Sequence, residues 1–264
     1  MTLVNETLRA DHNTESFIPA WFENDRFWST FRSVAFGGER WSRACAEAPQ
    51  ILRLLGLENR RGSILDLCSG PGRYSLEFAL RGLTVTAVDR TESYLAELRD
   101  RAKTVGCSIE TVREDMRQFE RSESFDAAIC IGLSFGYFEH SSEDCLVLER
   151  IHASLRPGAH LVIQVPNKCW PDALGTWFLV ENESVHALVD QRVEAGGKRV
   201  IQQWMVRDDA GQTFNFTFKQ TLYSPDELAS TFMRVGFLNT RFFEDFGCSP
   251  LRPDSRHLIV VAEK

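Results

Sequence analysis

The stretch ILDLCSGPGRYSLEFALRG, residues 64–82, decides how the rest of the chain is read. Ile64, Leu65 and Leu67 around Asp66 predict a buried strand, Ser69 to Gly72 a tight turn, and Arg73 to Arg81 an amphipathic helix stopped by Gly82. In an open parallel sheet, ligands bind beyond the carboxyl ends of the strands, and the first strand-helix turn comes closest to them. Gly70 and Gly72 let backbone approach where a side chain would block it. A second acid, Asp89, ends the next apolar run, TVTAVD, where a carboxylate can accept two hydroxyl hydrogen bonds from a ribose. The pattern points to a nucleoside.

Outward from this unit the alternation continues. Thr91 caps a helix whose Leu95, Leu98 and Ala102 share a face, and SIETV, FDAAICIGL and HLVIQVP read as three more strands. A helix with Leu148, Ile151 and Leu155 precedes the last of them. Apolar strands alternating with helices imply a parallel sheet covered on both faces, an α/β fold of Rossmann-like type. Residues 14–57 read as a helical cap, with Trp41, Cys45, Ala48, Leu52 and Leu55 on one face and Phe27, Trp28, Phe31 and Val34 on another. Residues 176–222 break the alternation: SVHALVDQRVE, RVIQQWMVRD and QTFNFTFKQTLY read as antiparallel strands, the last with Phe214, Phe216 and Phe218 on one face. Ser224-Pro225-Asp226-Glu227 is a capping box for a further helix, and LNTRFFED and HLIVVAEK are two closing strands. No repeat or linker interrupts the chain. The organisation expected is one domain over 1–264: the cap, a core over 63–166, an antiparallel elaboration, and completion of the core sheet over 224–264.

A net charge of −7 offers no broad basic field for phosphates, so a small-molecule partner is favoured over nucleic acid. No apolar run reaches the roughly 18 residues of a membrane span, and the charged amino terminus lacks a signal-peptide core. A soluble cytoplasmic protein with no membrane partner is expected, and seven scattered cysteines without a C-x-x-C pair suit reduced thiols. No metal site is expected, and the oligomeric state is not legible.

A dinucleotide site wants G-x-G-x-x-G, yet here Ser75 stands in the third glycine's place and Asp66 precedes the turn. A carboxylate there repels a pyrophosphate and attracts a cationic amine, which favours an aminoacyl sulfonium. The order DLCSGPGRYS, VDR, REDM, FDAAICIGLSFGYF and LRPGAHLVI resembles the class I S-adenosylmethionine-dependent methyltransferases, small-molecule branch. The resemblance implies a seven-stranded, mostly parallel sheet with an antiparallel last strand, and S-adenosyl-L-methionine as cofactor with S-adenosyl-L-homocysteine as product. It places Asp66, Cys68, Gly70, Gly72 and Tyr74 along the first turn and the methionine moiety, and Asp89 on the ribose. Arg90, Asp115 and Met116 fall about the adenine, and Ile131 and Gly132 at the sulfonium end.

Methyl transfer needs alignment and exclusion of water more than it needs acid-base groups, so few catalytic residues are expected. His140 and Tyr137 are the candidates. The acceptor pocket is expected from Trp28 and Phe31 of the cap, Ser134 and Phe135 after the fourth strand, and Asn167 and Trp170 after the fifth. Arg192 and Trp204 of the antiparallel strands complete the set. CIGLSFGYF carries no carboxylate for the magnesium of catechol-type enzymes and no N-P-P-Y run. Thr221 stands where relatives of this pattern carry arginine before L-Y-S. Transfer to oxygen or nitrogen of a small molecule, without a metal, is the reading adopted. Alternatives left open are non-methyl chemistry on the same cofactor, a nicotinamide oxidoreductase, and a non-catalytic binding module.

Overall fold

The computed structural model describes residues 20–169, 176–182, 185–194, 196–208 and 211–264. The described chain enters through a short 3-10 turn, Trp21–Glu23, followed by α1 (Asp25–Ala35) and α2 (Gly38–Leu54). Asn24 starts α1 by accepting the amides of Arg26 and Phe27, satisfying donors that the first turn leaves open. The buried face of α2 is Ala44, Ala48, Ile51 and Leu52, so Cys45, expected on that face, lies exposed one position away.

Five strands then alternate with helices: β1 (Ser63–Leu67), α3 (Arg73–Leu80), β2 (Thr84–Asp89), α4 (Glu92–Thr104), β3 (Glu110–Arg113), β4 (Phe125–Cys130), α5 (Ser141–Ser154) and β5 (Leu155–Pro166). Leu155, expected on the helix face, has extended backbone and pairs with Phe125. The antiparallel run forms β6 (Thr176–Asn182), β7 (Val185–Val193), β8 (Arg199–Asp208) and β9 (Thr213–Thr221). Strand β6 pairs with β7 and makes this sheet four-stranded, one more strand than the sequence pattern predicts. The chain closes with α6 (Pro225–Val235), β10 (Leu238–Phe243) and β11 (His257–Glu263). Ser224 and Glu227 cap α6 reciprocally, as the sequence predicts.

The main sheet has the order β10-β11-β5-β4-β1-β2-β3, with β11 antiparallel to both of its neighbours and the other pairings parallel. Strand order reverses at β1, which pairs with β2 on one side and β4 on the other, so the crevice for a ligand opens beyond β1, β2 and β4. Both faces are buried. Ile64, Ala127 and Ile129 pack toward α2 and α3, whereas Leu65, Leu67 and Ala128 pack toward α5 and α6. The second sheet packs its own inner face, Ala187, Val189, Trp204, Val206 and Phe218, on Phe27 of α1. It is stitched to the main sheet where the Thr221 amide donates to the Gly136 carbonyl at 2.7 Å and the Lys168 amide to Tyr223 at 3.1 Å.

Candidate active site

The carboxyl ends of β1 to β4 line a cavity. Leu67, Cys68 and Gly70 follow β1, Val88 to Thr91 close β2, Glu114 to Met116 follow β3, and Ser134, Tyr137 and Phe138 follow β4. Phe22, Trp28 and Phe36 of the cap, with Tyr94 of α4, make the opposite wall. The cap is tied down by directional bonds. The Trp28 indole and the Arg90 guanidinium both donate to the Phe22 carbonyl, and the Tyr94 hydroxyl donates to the Trp28 carbonyl at 2.6 Å. Farther along α1, Arg32 grips Glu97 of α4 with two nitrogens.

Asp89 is the centre of the polar wall. One oxygen accepts the Gly70 amide at 2.8 Å, and the other accepts the Thr91 amide at 2.8 Å, so the acid both pins the glycine turn and opens α4. Burial pushes this carboxyl upward, with the Thr91 and Gly70 amides pulling the other way. A carboxylate offers about four acceptor sites, so Asp89 keeps capacity beyond these amides and the Thr91 hydroxyl. That remaining acceptor capacity fits a hydroxyl donor such as a ribose-type diol. Gly70 has φ +57, and a Cβ there would lie 2.9 Å from the Phe36 ring, so the turn and the cap approach too closely for a side chain. Asp115 sits at the third strand end; burial pushes its carboxyl up, and the Arg117 guanidinium, 2.7 Å away, outweighs this and holds it below the ordinary value. Cys68 and Met116 bring their sulfurs within 3.3 Å. Burial pushes the Tyr137 phenol up, so it stays protonated at neutral pH.

The structure thus gathers Cys68, Gly70, Asp89, Arg90, Asp115, Met116, Trp28, Ser134 and Tyr137 around one cavity. Other expected residues lie elsewhere. Asp66 is buried beneath the turn, where Ser75 donates to it at 2.6 Å. Serine in the third glycine's place is therefore a partner for Asp66. Gly72 is the left-handed residue before α3 and packs on Leu98. The Tyr74 hydroxyl donates to Glu47 at 2.6 Å, and Ile131 joins the core on the α2 side. Gly132 is exposed, its amide donating to Gln164 at 3.2 Å. Phe31 packs on Trp204 at 4.9 Å, in the aromatic layer between α1 and the second sheet. Phe135 is buried against Tyr223, and Asn167 is held by the Ser255 carbonyl and the Cys169 amide.

Two expectations are corrected. His140 is exposed at the residue preceding α5, where it serves the start of a helix and does not reach the cavity. Arg192 is exposed on the outer face of β7, because strand alternation turns Gln191 inward instead. Trp170 lies outside the described residues. The sequence reading missed Phe22, Phe36, Tyr94 and Phe138. It also missed Arg73, a buried cation that donates to the Arg40 carbonyl at 3.2 Å and lies beside the Phe36 ring and Gly132.

The strand order and a crevice walled by the first four strand ends give a Rossmann-like fold with its ligand site at the switch point. Residues 64–158 match a family model described as a methyltransferase domain. A provisionally named methyltransferase of Geobacillus sp. (strain WCH70) is 30% identical over 208 residues, covering 76% of this chain and 84% of the relative. The CcbJ methyltransferase from Streptomyces caelestis superposes with a TM-score of 0.72 at 19% identity, covering 83% of this chain and 88% of that one. CalS10 of Micromonospora echinaspora, an amino pentose methyltransferase solved with S-adenosylmethionine bound, gives 0.66 at 21% identity, covering 90% and 97%. The chain belongs to the methyltransferase family. Among the described residues no group of three or more His, Cys, Asp or Glu side chains is placed to hold a metal, and no helix is long and apolar enough to cross a membrane.

Proposed function

We propose that this chain transfers a methyl group to oxygen or nitrogen of a small molecule, in a single methyltransferase domain spanning 1–264. The observation that carries the proposal is the placement of Asp89, a buried carboxylate with acceptor capacity beyond the amides it holds, between the glycine turn and the apolar wall of Met116 and Phe138. Asp89 would take the ribose hydroxyls, Asp115 the adenine amine, and Arg90, Met116, Phe22 and Phe138 the faces and edges of the ring. Asp66 would attract the methionine amine from beneath the turn, and Arg73, buried beside Gly132, would take the methionine carboxylate. When bound, S-adenosylmethionine supplies a methyl group on positively charged sulfur. The chain's part is to hold the acceptor in line, exclude water with Trp28, Tyr94 and Phe36, and surround the cation with aromatic rings. Such alignment alone can supply roughly 7–11 kcal/mol.

Net charge supports a small acceptor over a polyphosphate, and seven free thiols support the reducing cytoplasm as the place of action. Calorimetric titration with S-adenosylhomocysteine tests the cofactor assignment. Wild type is expected to bind, and Asp89→Ala to lose at least tenfold in affinity. Unchanged affinity in that variant, or release of methylthioadenosine instead of S-adenosylhomocysteine on turnover, would sink it.

A further inference from the structure

Among the described side chains of β7, β8 and β9, the inward positions are apolar except for three, and all three are uncharged amides. Gln191 and Gln220 are each 5% exposed. Gln202 stands directly opposite Gln191 in the ladder, and Gln220 is opposite Val200, two residues along the same face. The charged residues Asp190, Arg192, Arg207 and Lys219 alternate to the outer face. Gln220 reaches the main sheet: its nitrogen donates to the carbonyls of Leu133 and Phe135, on either side of Ser134, which lines the cofactor cavity. The amides therefore begin one residue from the cavity wall.

Their polarity is set by groups that have no choice of role. An indole N–H can only donate, so Trp204, 3.0 Å from Gln202, turns the Gln202 oxygen toward itself. The Gln202 nitrogen then donates to the Gln191 oxygen, which leaves the Gln191 nitrogen as an unused donor. Carbonyls can only accept, so Gln220 commits its nitrogen to them and leaves its oxygen as an unused acceptor. One donor and one acceptor without partners among the described residues thus stand beside Val189 and Val200. An ion placed here would have no counterion among the described side chains around the three amides, and burying an unpaired charge is far more costly than burying a satisfied amide.

We propose that Gln191, Gln202 and Gln220 form the recognition floor of the acceptor site, and that the acceptor is a neutral molecule with adjoining hydrogen-bond acceptor and donor, as in a lactam or keto-NH heteroaromatic ring. The proposal rests on the methyl-transfer reading above. In the test, the full chain saturated with S-adenosylhomocysteine is titrated calorimetrically with three probe classes: neutral quinolone and lumazine rings, phenethylamine-type cations, and hydroxybenzoate-type carboxylates. Binding heat is expected with the neutral class alone. Gln191→Leu and Gln202→Leu should weaken it at least tenfold, while affinity for S-adenosylhomocysteine stays within twofold as the control for folding. Gln191→Glu keeps the volume, removes the donor, and should lose the neutral probes to the same degree. Preference for either charged class, silence of every neutral probe, or variants that bind neutral probes like wild type would each overturn the proposal. Failure of S-adenosylhomocysteine itself to bind would instead overturn the methyltransferase reading.

Discussion

Asp66 offers a test in which stability and pH are linked through one buried acid. The side chain is 3% exposed and accepts from Ser75, and burial pushes its carboxyl from 3.8 up to about 7 against the pull of the Ser75 bond and of Arg73. Between those values the native state holds a proton that the unfolded chain releases, so stability falls as pH rises through this window. At about 1.36 kcal/mol per pH unit the full cost of ionising the group at pH 8 is about 4 kcal/mol. At pH 5 only the interval above 3.8 has been crossed, and the cost is about 1.6 kcal/mol. Asp66→Asn keeps the volume and an oxygen for Ser75 while removing the titration. The variant is expected to be more stable than wild type at both pH values, with a gain about 2.5 kcal/mol larger at pH 8. Urea unfolding of both proteins at equal ionic strength reads this directly. Equal gains at the two pH values, or a loss at pH 8, would refute the placement of a protonated Asp66 beneath the turn.

The same acid predicts that affinity for S-adenosylmethionine rises with pH from 6 to 8, because a cationic amine favours ionised Asp66; calorimetry in buffers of different ionisation enthalpy should show proton release on binding. Gly72→Ala should destabilise by at least about 2 kcal/mol in thermal unfolding, since its Cβ would lie 2.3 Å from buried Leu98 at φ +78. Tyr223→Phe removes the hydroxyl that donates to Asp144, a carboxylate only 1% exposed, and should cost about 1–3 kcal/mol in urea unfolding at pH 8.

The floor of the cofactor site was legible because strand ends are legible. Apolar runs that stop at an acid or a glycine mark where backbone leaves the sheet, and topology brings those ends together whatever the loops contain. Gly70 and Asp89 were found this way, whereas Cys68 and Asp115 came from the family resemblance. The cap wall was not, because aromatic residues at helical spacing say that a face is buried without saying against what: Phe36 and Tyr94 meet over the cavity from elements far apart in sequence. Chemical attraction also misled. His140 and Arg192 drew notice for what imidazole and guanidinium can do, yet a helix start and a strand register turned both outward. Along VHALVDQRV the inward positions are Ala187, Val189 and Gln191, a pattern too weakly apolar to phase without its partner strands.

Residues 131–138 are where the two halves of the molecule meet, and this shapes how specificity and catalysis are coupled. On one side Ser134 and Tyr137 line the cofactor cavity. On the other, Gln220 and the Thr221 amide fasten the carbonyls of Leu133, Phe135 and Gly136 to the second sheet, and Tyr223 ties Asp144 of α5 to the same strand's exit. A displacement of the second sheet on accommodating an acceptor therefore bears directly on the loop that faces the methyl donor. Because hydrogen bonds weaken steeply with misalignment, this connection has little slack. On the proposed site, acceptors that leave the amide floor in register would keep Tyr137 and Ser134 in place, whereas those that push it aside would lose alignment at the donor. Discrimination would then act on the chemical step as well as on binding, which is the form of selectivity an in-line transfer with few acid-base groups can use.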